Sequence, residues 1–212
     1  RETENKQLNT AIQEIPSPVL IWDKNNKLVL GNAEAKKRFE KFSGLKLNKS
    51  LTNTNLAPKT TTCSSLFRTS GFKSSEETFL MVEAIKKHAD EAQWRQTYSI
   101  SEVGEDFVNR HCYLELIGPT GHFYSETIRG FIAFWGEHLD YKWHSHEAEE
   151  IYYVLGGKAL FKTKNGAKVL KANETQFHKS WESHAMETLE EPLLAFILWR
   201  GKGLDQLAKM DN

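Results

Sequence analysis

Cysteine is scarce in this chain of 212 residues: Cys63 and Cys112 are the only two, and no C-x-x-C spacing exists. That excludes a disulfide framework and a thiolate zinc site, and makes a reducing compartment, the cytoplasm, the expectation. An excess of either charge is also missing, because 28 Lys and Arg offset 28 Asp and Glu to a formal net charge of zero. Nucleic-acid binding normally leaves a basic footprint, so nucleic acid is not an expected partner. Long apolar runs are absent too: none approaches the roughly 20 residues a membrane-spanning helix requires. The opening residues RETENKQLNT are too polar for a signal peptide, and no membrane association is expected.

What is present suggests one ordinary domain with an extension, since this length suits a single sizeable core. Residues 1 to 15 look helical, and Pro16 and Pro18 punctuate before PVLIWDKNNKLVLGN, where two short apolar runs flank a DKNNK turn. That pattern predicts a β-hairpin. Asn32 is placed to cap a following helix, AEAKKRFEKF, ended by Gly44. This opening resembles that of a PAS sensory domain, but the polar stretch from Lys46 to Ser70 does not continue it. The expected division is therefore residues 1–70 as an N-terminal extension with a PAS-like fragment and polar linker, and 71–212 as the main domain. The extension would pack on that domain or build a homodimer contact.

From Ser75, EETFLMVEAIKKHADEAQW predicts a helix with Phe79, Val82, Ile85 and Ala89 on one side. After Ser99 come runs rich in β-branched and aromatic residues, with turn signals at Gly118 to Gly121, Gly136, Gly156-Gly157, Asn165-Gly166 and Asn173. Many short strands at this spacing predict a closed or sandwiched β structure.

The segment that carries chemistry is YKWHSHEAEEIYYVLGG, residues 141–157. Side chains alternate along a strand, so Tyr141 and Trp143 are expected on one face and His144 and His146 on the other. Glu150 would lie about 13 Å beyond His146 in an extended chain, whereas ligands of one ion lie about 2 Å from it. The chain must therefore turn at EAEE, and a returning strand would carry Glu150 and Tyr152 back on the same face. Further along, KANETQFHKSWESHAM offers two more histidines, His178 and His184, both ligand candidates by type. Trp143, Trp181 and Trp199 read individually as packing residues, and His88, His111, His122 and His138 as structural.

The spacing H-x-H-x3-E-x6-G resembles the first motif of the cupin superfamily, with Gly136 ahead of it at seven intervening residues instead of the usual five. The resemblance implies a mainly β fold, a double-stranded β-helix or jelly-roll barrel, here with an N-terminal α-helical and hairpin extension. Finer detail resembles the bacterial dimethylsulfoniopropionate lyases over roughly residues 75 to 205: WRQTY at 94–98, HSHEAEEIY at 144–152, HAM at 184–186 and LLAFILWRG at 193–201. In those enzymes the second motif runs G-D, then H-P-S, then P-H-A, which aligns the metal histidine with His184. Asn173, Lys179 and Ser183 depart from that pattern, although Asn still tolerates a left-handed turn.

That resemblance implies one divalent transition metal (zinc, iron, manganese, cobalt or nickel) held by His144, His146, Glu150 and His184. It implies a catalytic tyrosine at Tyr152, with Tyr141 beside it, and a sulfonium substrate lined by Trp199, Tyr141 and Trp143. The implied reaction is β-elimination of dimethylsulfoniopropionate to dimethyl sulfide and acrylate. A tyrosine is mostly protonated at neutral pH, and a divalent cation beside it favours phenolate. The alternatives from other classes are an iron dioxygenase or isomerase with the same ligands, and a sensor that binds a small molecule without turnover.

Overall fold

The computed structural model describes residues 56–211 and, as backbone, the two strands β1 (Leu20–Trp22) and β2 (Leu28–Leu30). These two pair antiparallel in the register Leu20↔Leu30 and Trp22↔Leu28, the hairpin that DKNNK predicts. The helices expected at 1–15 and 33–42 lie outside the described residues.

The chain then runs through α1 (Thr62–Thr69), α2 (Phe79–Lys87), a 3-10 turn (Ala89–Glu91) and β3 (Trp94–Arg95). Two short helices follow, α3 (Ile100–Val103) and α4 (Glu105–Arg110), before β4 (His111–Ile117), β5 (Ile128–Trp135) and β6 (Asp140–Ser145). The remainder is β7 (Glu149–Thr163), β8 (Gly166–Lys171), β9 (Thr175–His178), β10 (His184–Arg200) and β11 (Lys209–Met210). The β10 strand organises the sheet. Its first part pairs β6 on one edge and the end of β7 on the other; its second part pairs β5 and the beginning of β7, all antiparallel. The sheet thereby curls on itself into the mainly β, cupin-type double-stranded β-helix. No helix among the described residues is long and apolar enough to cross a membrane.

Two expectations change. Gly156-Gly157 is not a turn: β7 runs straight through it. Gly157 instead takes φ +75°, and a Cβ there would stand 1.6 Å from the Pro192 carbonyl oxygen, so the two long strands approach at a distance only glycine allows. The 75–94 helix is also shorter. Ser75 and Thr78 bond each other's backbone N–H reciprocally at 3.0 and 3.3 Å, which holds a turn there and delays the helix to Phe79. Val82, Ile85 and Ala89 are buried as expected, while Phe79 is exposed.

The β5 strand shows why the core has two halves. Its Phe131, Ala133 and Trp135 point into the barrel with Val154, Phe161 and Ile197. Its Ile132 and Phe134 point outward and pack under Phe67, Val82, Ile85 and Trp94. Both faces are covered, so from Phe131 the strand reads as the continuous apolar run FIAFW. Helix α1 is started by a reciprocal cap: the Thr61 hydroxyl accepts from Ser64 N at 3.0 Å, and the Ser64 hydroxyl accepts from Thr61 N at 2.8 Å. Its Cys63 and Phe67 are buried in the outer core. Residues 62–69 thus pack with the sheet, ahead of the division at residue 70 that composition suggests.

Candidate metal centre

The turn at Ser145 to Ala148 folds β7 back beside β6, and β10 closes the group. His184 sits opposite His144 in register, and Glu150 lies opposite Trp199 on one side and His178 on the other. His144, His146, Glu150, His178 and His184 are all at least 97% buried. Two overlapping sets, His144/His146/His184 and Glu150/His178/His184, each bring their ligating atoms within 4.8 Å of one another.

The hydrogen bonds around three of these imidazoles fix what they offer. The Nδ1 of His144 lies 2.7 Å from the Lys142 carbonyl, that of His146 2.8 Å from the Ala148 carbonyl, and that of His184 2.7 Å from the Glu182 carbonyl. A carbonyl only accepts, so each Nδ1 carries the proton and each Nε2 lone pair is turned inward. Glu150 Oε2 stands 3.3 Å from His146 Nε2 and 3.1 Å from His184 Nε2. None of these three atoms has a hydrogen-bond partner despite its burial. With the imidazole protons on Nδ1, they are acceptors set beside acceptors, an arrangement that a cation between them would relieve. Ligand atoms around a tetrahedral ion with bonds of about 2 Å stand about 3.3 Å apart, so the arrangement fits a divalent metal of that geometry. The other carboxylate oxygen, Oε1, accepts from Trp199 Nε1 at 2.7 Å, which orients the carboxylate.

Electrostatics agree with a cation site. Burial by itself would push the Glu150 carboxyl up, but the imidazoles of His146 and His184 outweigh it and hold the group well below the ordinary range. His184 is desolvated as well, yet Glu150 raises it above the usual histidine value. For His144, burial, then the neighbouring His184, outweigh the Lys142 carbonyl and Glu150 and lower it to about 3. Burial and the Glu150 charge both push the Tyr152 phenol well above 10.

A cavity of about 110 Å³ opens beside these groups, with Tyr141, Tyr152, Glu150 and Trp199 in its wall. Tyr152 is the phenol expected there, its ring against Trp135 and Phe161. Tyr141 arrives against expectation. The pairing of β6 with β10 shifts register between His184 and Met186, so Lys142 and Trp143 bulge and Tyr141 joins the histidine face. Its ring stacks on His144 at 4.2 Å and its hydroxyl meets that of Tyr98 at 2.5 Å. Trp143 stays on the face opposite the histidines, 39% exposed and outside the cavity wall that Tyr141 joins. Trp199 does line the cavity, with its ring 4.4 Å from that of His146.

Other wall residues were not anticipated. Tyr98 lies within the WRQTY motif but had no assigned role. His111, read as structural, lines the cavity and stacks on Trp135 at 4.8 Å. Arg129 also lines it, with Nε 2.8 Å from the buried Glu115 carboxylate, which Arg95 meets at 2.8 Å from the other side. Gln206, Leu207 and Ala208 reach the wall because β11 pairs with β6 at Ser145 and His144. A two-residue strand has no recognisable sequence signal.

Comparison with known proteins now adds relatives. The family model for dimethylsulfoniopropionate lyase matches residues 34–195. A dimethylsulfoniopropionate lyase, DddQ, of Ruegeria pomeroyi is 39% identical over 111 residues, 52% of this chain and 55% of that protein. The alignment thus spans about half the length of that curated relative. Among solved structures, a chain from the crystal structures of the dimethylsulfoniopropionate lyases RdDddP and RnDddQII superposes with a TM-score of 0.77 at 34% identity, covering 84% of this chain and 91% of that one. The crystal structure of DddQ from Ruegeria pomeroyi DSS-3 superposes with a TM-score of 0.75 at 29% identity, covering 84% and 92%.

Proposed function

The chain belongs to the dimethylsulfoniopropionate lyase family, and on that premise we propose that it cleaves dimethylsulfoniopropionate to dimethyl sulfide and acrylate at the cavity beside His144, His146, Glu150 and His184. The observation that carries this reading is the convergence of three orphaned, buried ligand atoms next to a cavity walled by two tyrosines and a tryptophan. Those four residues would hold a divalent transition metal, and their mixed nitrogen and oxygen donors accommodate zinc, iron, manganese, cobalt or nickel. When bound, the ion supplies Lewis acidity for the substrate carboxylate and a positive charge that favours phenolate.

The remaining work falls to the chain. Tyr152 accepts the proton from the carbon next to the carboxylate onto its phenol oxygen. Burial and Glu150 both oppose the phenolate, so the base forms only with the positive charge of the metal site present. The electron pair of the broken C–H bond forms the C=C bond of acrylate, and the C–S pair leaves with sulfur as neutral dimethyl sulfide. A neutral leaving group needs no acid. The sulfonium cation is held against the faces of Trp199 and Tyr141 by cation–π attraction, worth about 0.5 to 2 kcal/mol. The Tyr98 hydroxyl fixes Tyr141 in place. The substrate is a small sulfonium compound, and a homodimer built through the N-terminal extension remains part of the proposal.

The test is headspace detection of dimethyl sulfide from protein supplied with dimethylsulfoniopropionate, beside a chelator-treated sample and Tyr152→Phe. Release that both changes abolish is the expected outcome. No release from metal-replete wild type would remove the substrate assignment.

A further inference from the structure

One buried imidazole of the centre has no part in the reading above. His178 ends β9, is fully buried, and lies opposite Glu150 in register. Its ring stacks on that of His184, with centroids 3.9 Å apart and 12° between planes. The other three histidines each commit Nδ1 to a backbone carbonyl. Neither nitrogen of His178 has a hydrogen-bond partner among the described residues. The Glu182 carboxylate stands 3.7 Å from its Nδ1, beyond hydrogen-bonding distance. A buried polar atom left unsatisfied is destabilising, and an apolar side chain would fill the same volume without that penalty. An unpaired imidazole aimed at a cluster of inward-facing ligand atoms points to an ion.

Glu150, His178 and His184 offer ligating atoms within 4.8 Å of one another. Glu150 Oε2 and His184 Nε2 already stand 3.1 Å apart, but the parallel stacked rings of His178 and His184 cannot both aim lone pairs at one ion. A turn of the His178 ring is therefore part of engagement, and no hydrogen bond holds that ring back.

We propose that His178 is a fifth ligand of this centre, forming with Glu150 and His184 a second seat that overlaps the first and receives the ion when His144 or His146 releases it. This rests on the metal-holding part of the function proposed above. The centre would then tolerate the loss of one histidine of the H-x-H pair and still retain its ion.

The test is titration of apo-protein with cobalt(II) against a competing chelator, with cobalt per chain counted by elemental analysis. The samples are wild type, His146→Ala, His178→Phe and the double variant. His146→Ala should still take one cobalt per chain. Outer-sphere partners alone change metal affinity about 10- to 100-fold, so adding His178→Phe to His146→Ala should weaken binding at least about tenfold, whereas His178→Phe alone should change it far less. Cobalt anomalous diffraction from His146→Ala crystals should place the ion beside His178, a readout that requires no substitution at 178. Equal affinities for His146→Ala and the double variant, or an anomalous peak away from His178, would overturn the proposal while leaving the metal reading intact. Wild type that takes up no cobalt would bring down both.

Discussion

Replacing Trp199 by Phe removes the one hydrogen bond that orients the Glu150 carboxylate. The indole N–H donates to Glu150 Oε1 at 2.7 Å, while the ring lies 4.4 Å from that of His146. Phenylalanine keeps an aromatic ring at this position while removing the donor and the volume of the indole's second ring. A hydrogen bond to a charged group contributes about 1.5 to 3 kcal/mol, so the carboxylate, with Oε1 unpaired in a buried site, should lose its fixed orientation. Loss of such a supporting contact typically weakens metal binding or activity about 10- to 100-fold. Competition titration of apo-protein with zinc or cobalt reads the affinity, and dimethyl sulfide release reads the turnover. The ion affinity of Trp199→Phe should fall by at least about tenfold. An unchanged affinity would mean that the Trp199 N–H does not position Glu150, and would refute the orientation argument.

Further predictions concern stability. His111 is fully buried and its pKa is lowered from 6.5 to about 4, by desolvation first and against a bond to the Phe134 carbonyl. The unfolded chain therefore takes up this proton before the folded one does, so stability is intact above about pH 6.5 and falls as pH drops toward 4. At about 1.4 kcal/mol per unit this amounts to roughly 3 kcal/mol, and urea midpoints across that window should fall less steeply for His111→Phe than for wild type. Glu115→Gln removes a buried carboxylate that Arg95, Arg129 and Thr120 all contact. With two guanidinium groups left short of a partner, unfolding free energy should drop by about 3 to 5 kcal/mol, and a loss under 1 kcal/mol in denaturant titration would contradict the pairing. Gly157→Ala should lower the melting temperature by more than about 8 °C, the shift of a 1 to 2 kcal/mol conformational penalty plus a backbone clash. A thermal scan matching wild type would show that β7 and β10 do not approach as closely as described.

The clustering of the candidate ligands was legible in the sequence because it depends on local geometry. Two histidines separated by one residue share a face of any regular strand, and a glutamate four places on returns to them only through a turn. Hence the approach of His144, His146 and Glu150 followed from spacing, and the choice of His184 as their companion from motif resemblance. The hairpin at 20–30 was legible for the same reason, its two apolar runs flanking one turn. Tertiary structure decided what depends on a partner strand. The bulge at Lys142 and Trp143 arises where β6 slips against β10, and it moves Tyr141 to the histidine face, parting it from Trp143, with which strict alternation had kept it together. Gly156-Gly157 resembles a turn until the neighbours show why two glycines stand inside a strand: the Phe72 ring takes the space at Gly156, and the Pro192 carbonyl that at Gly157. Which histidines commit Nδ1 to a carbonyl, and which one does not, is likewise set by where the chain folds back, because the position of a side-chain nitrogen relative to a backbone oxygen is a distance in space and has no representation in residue order.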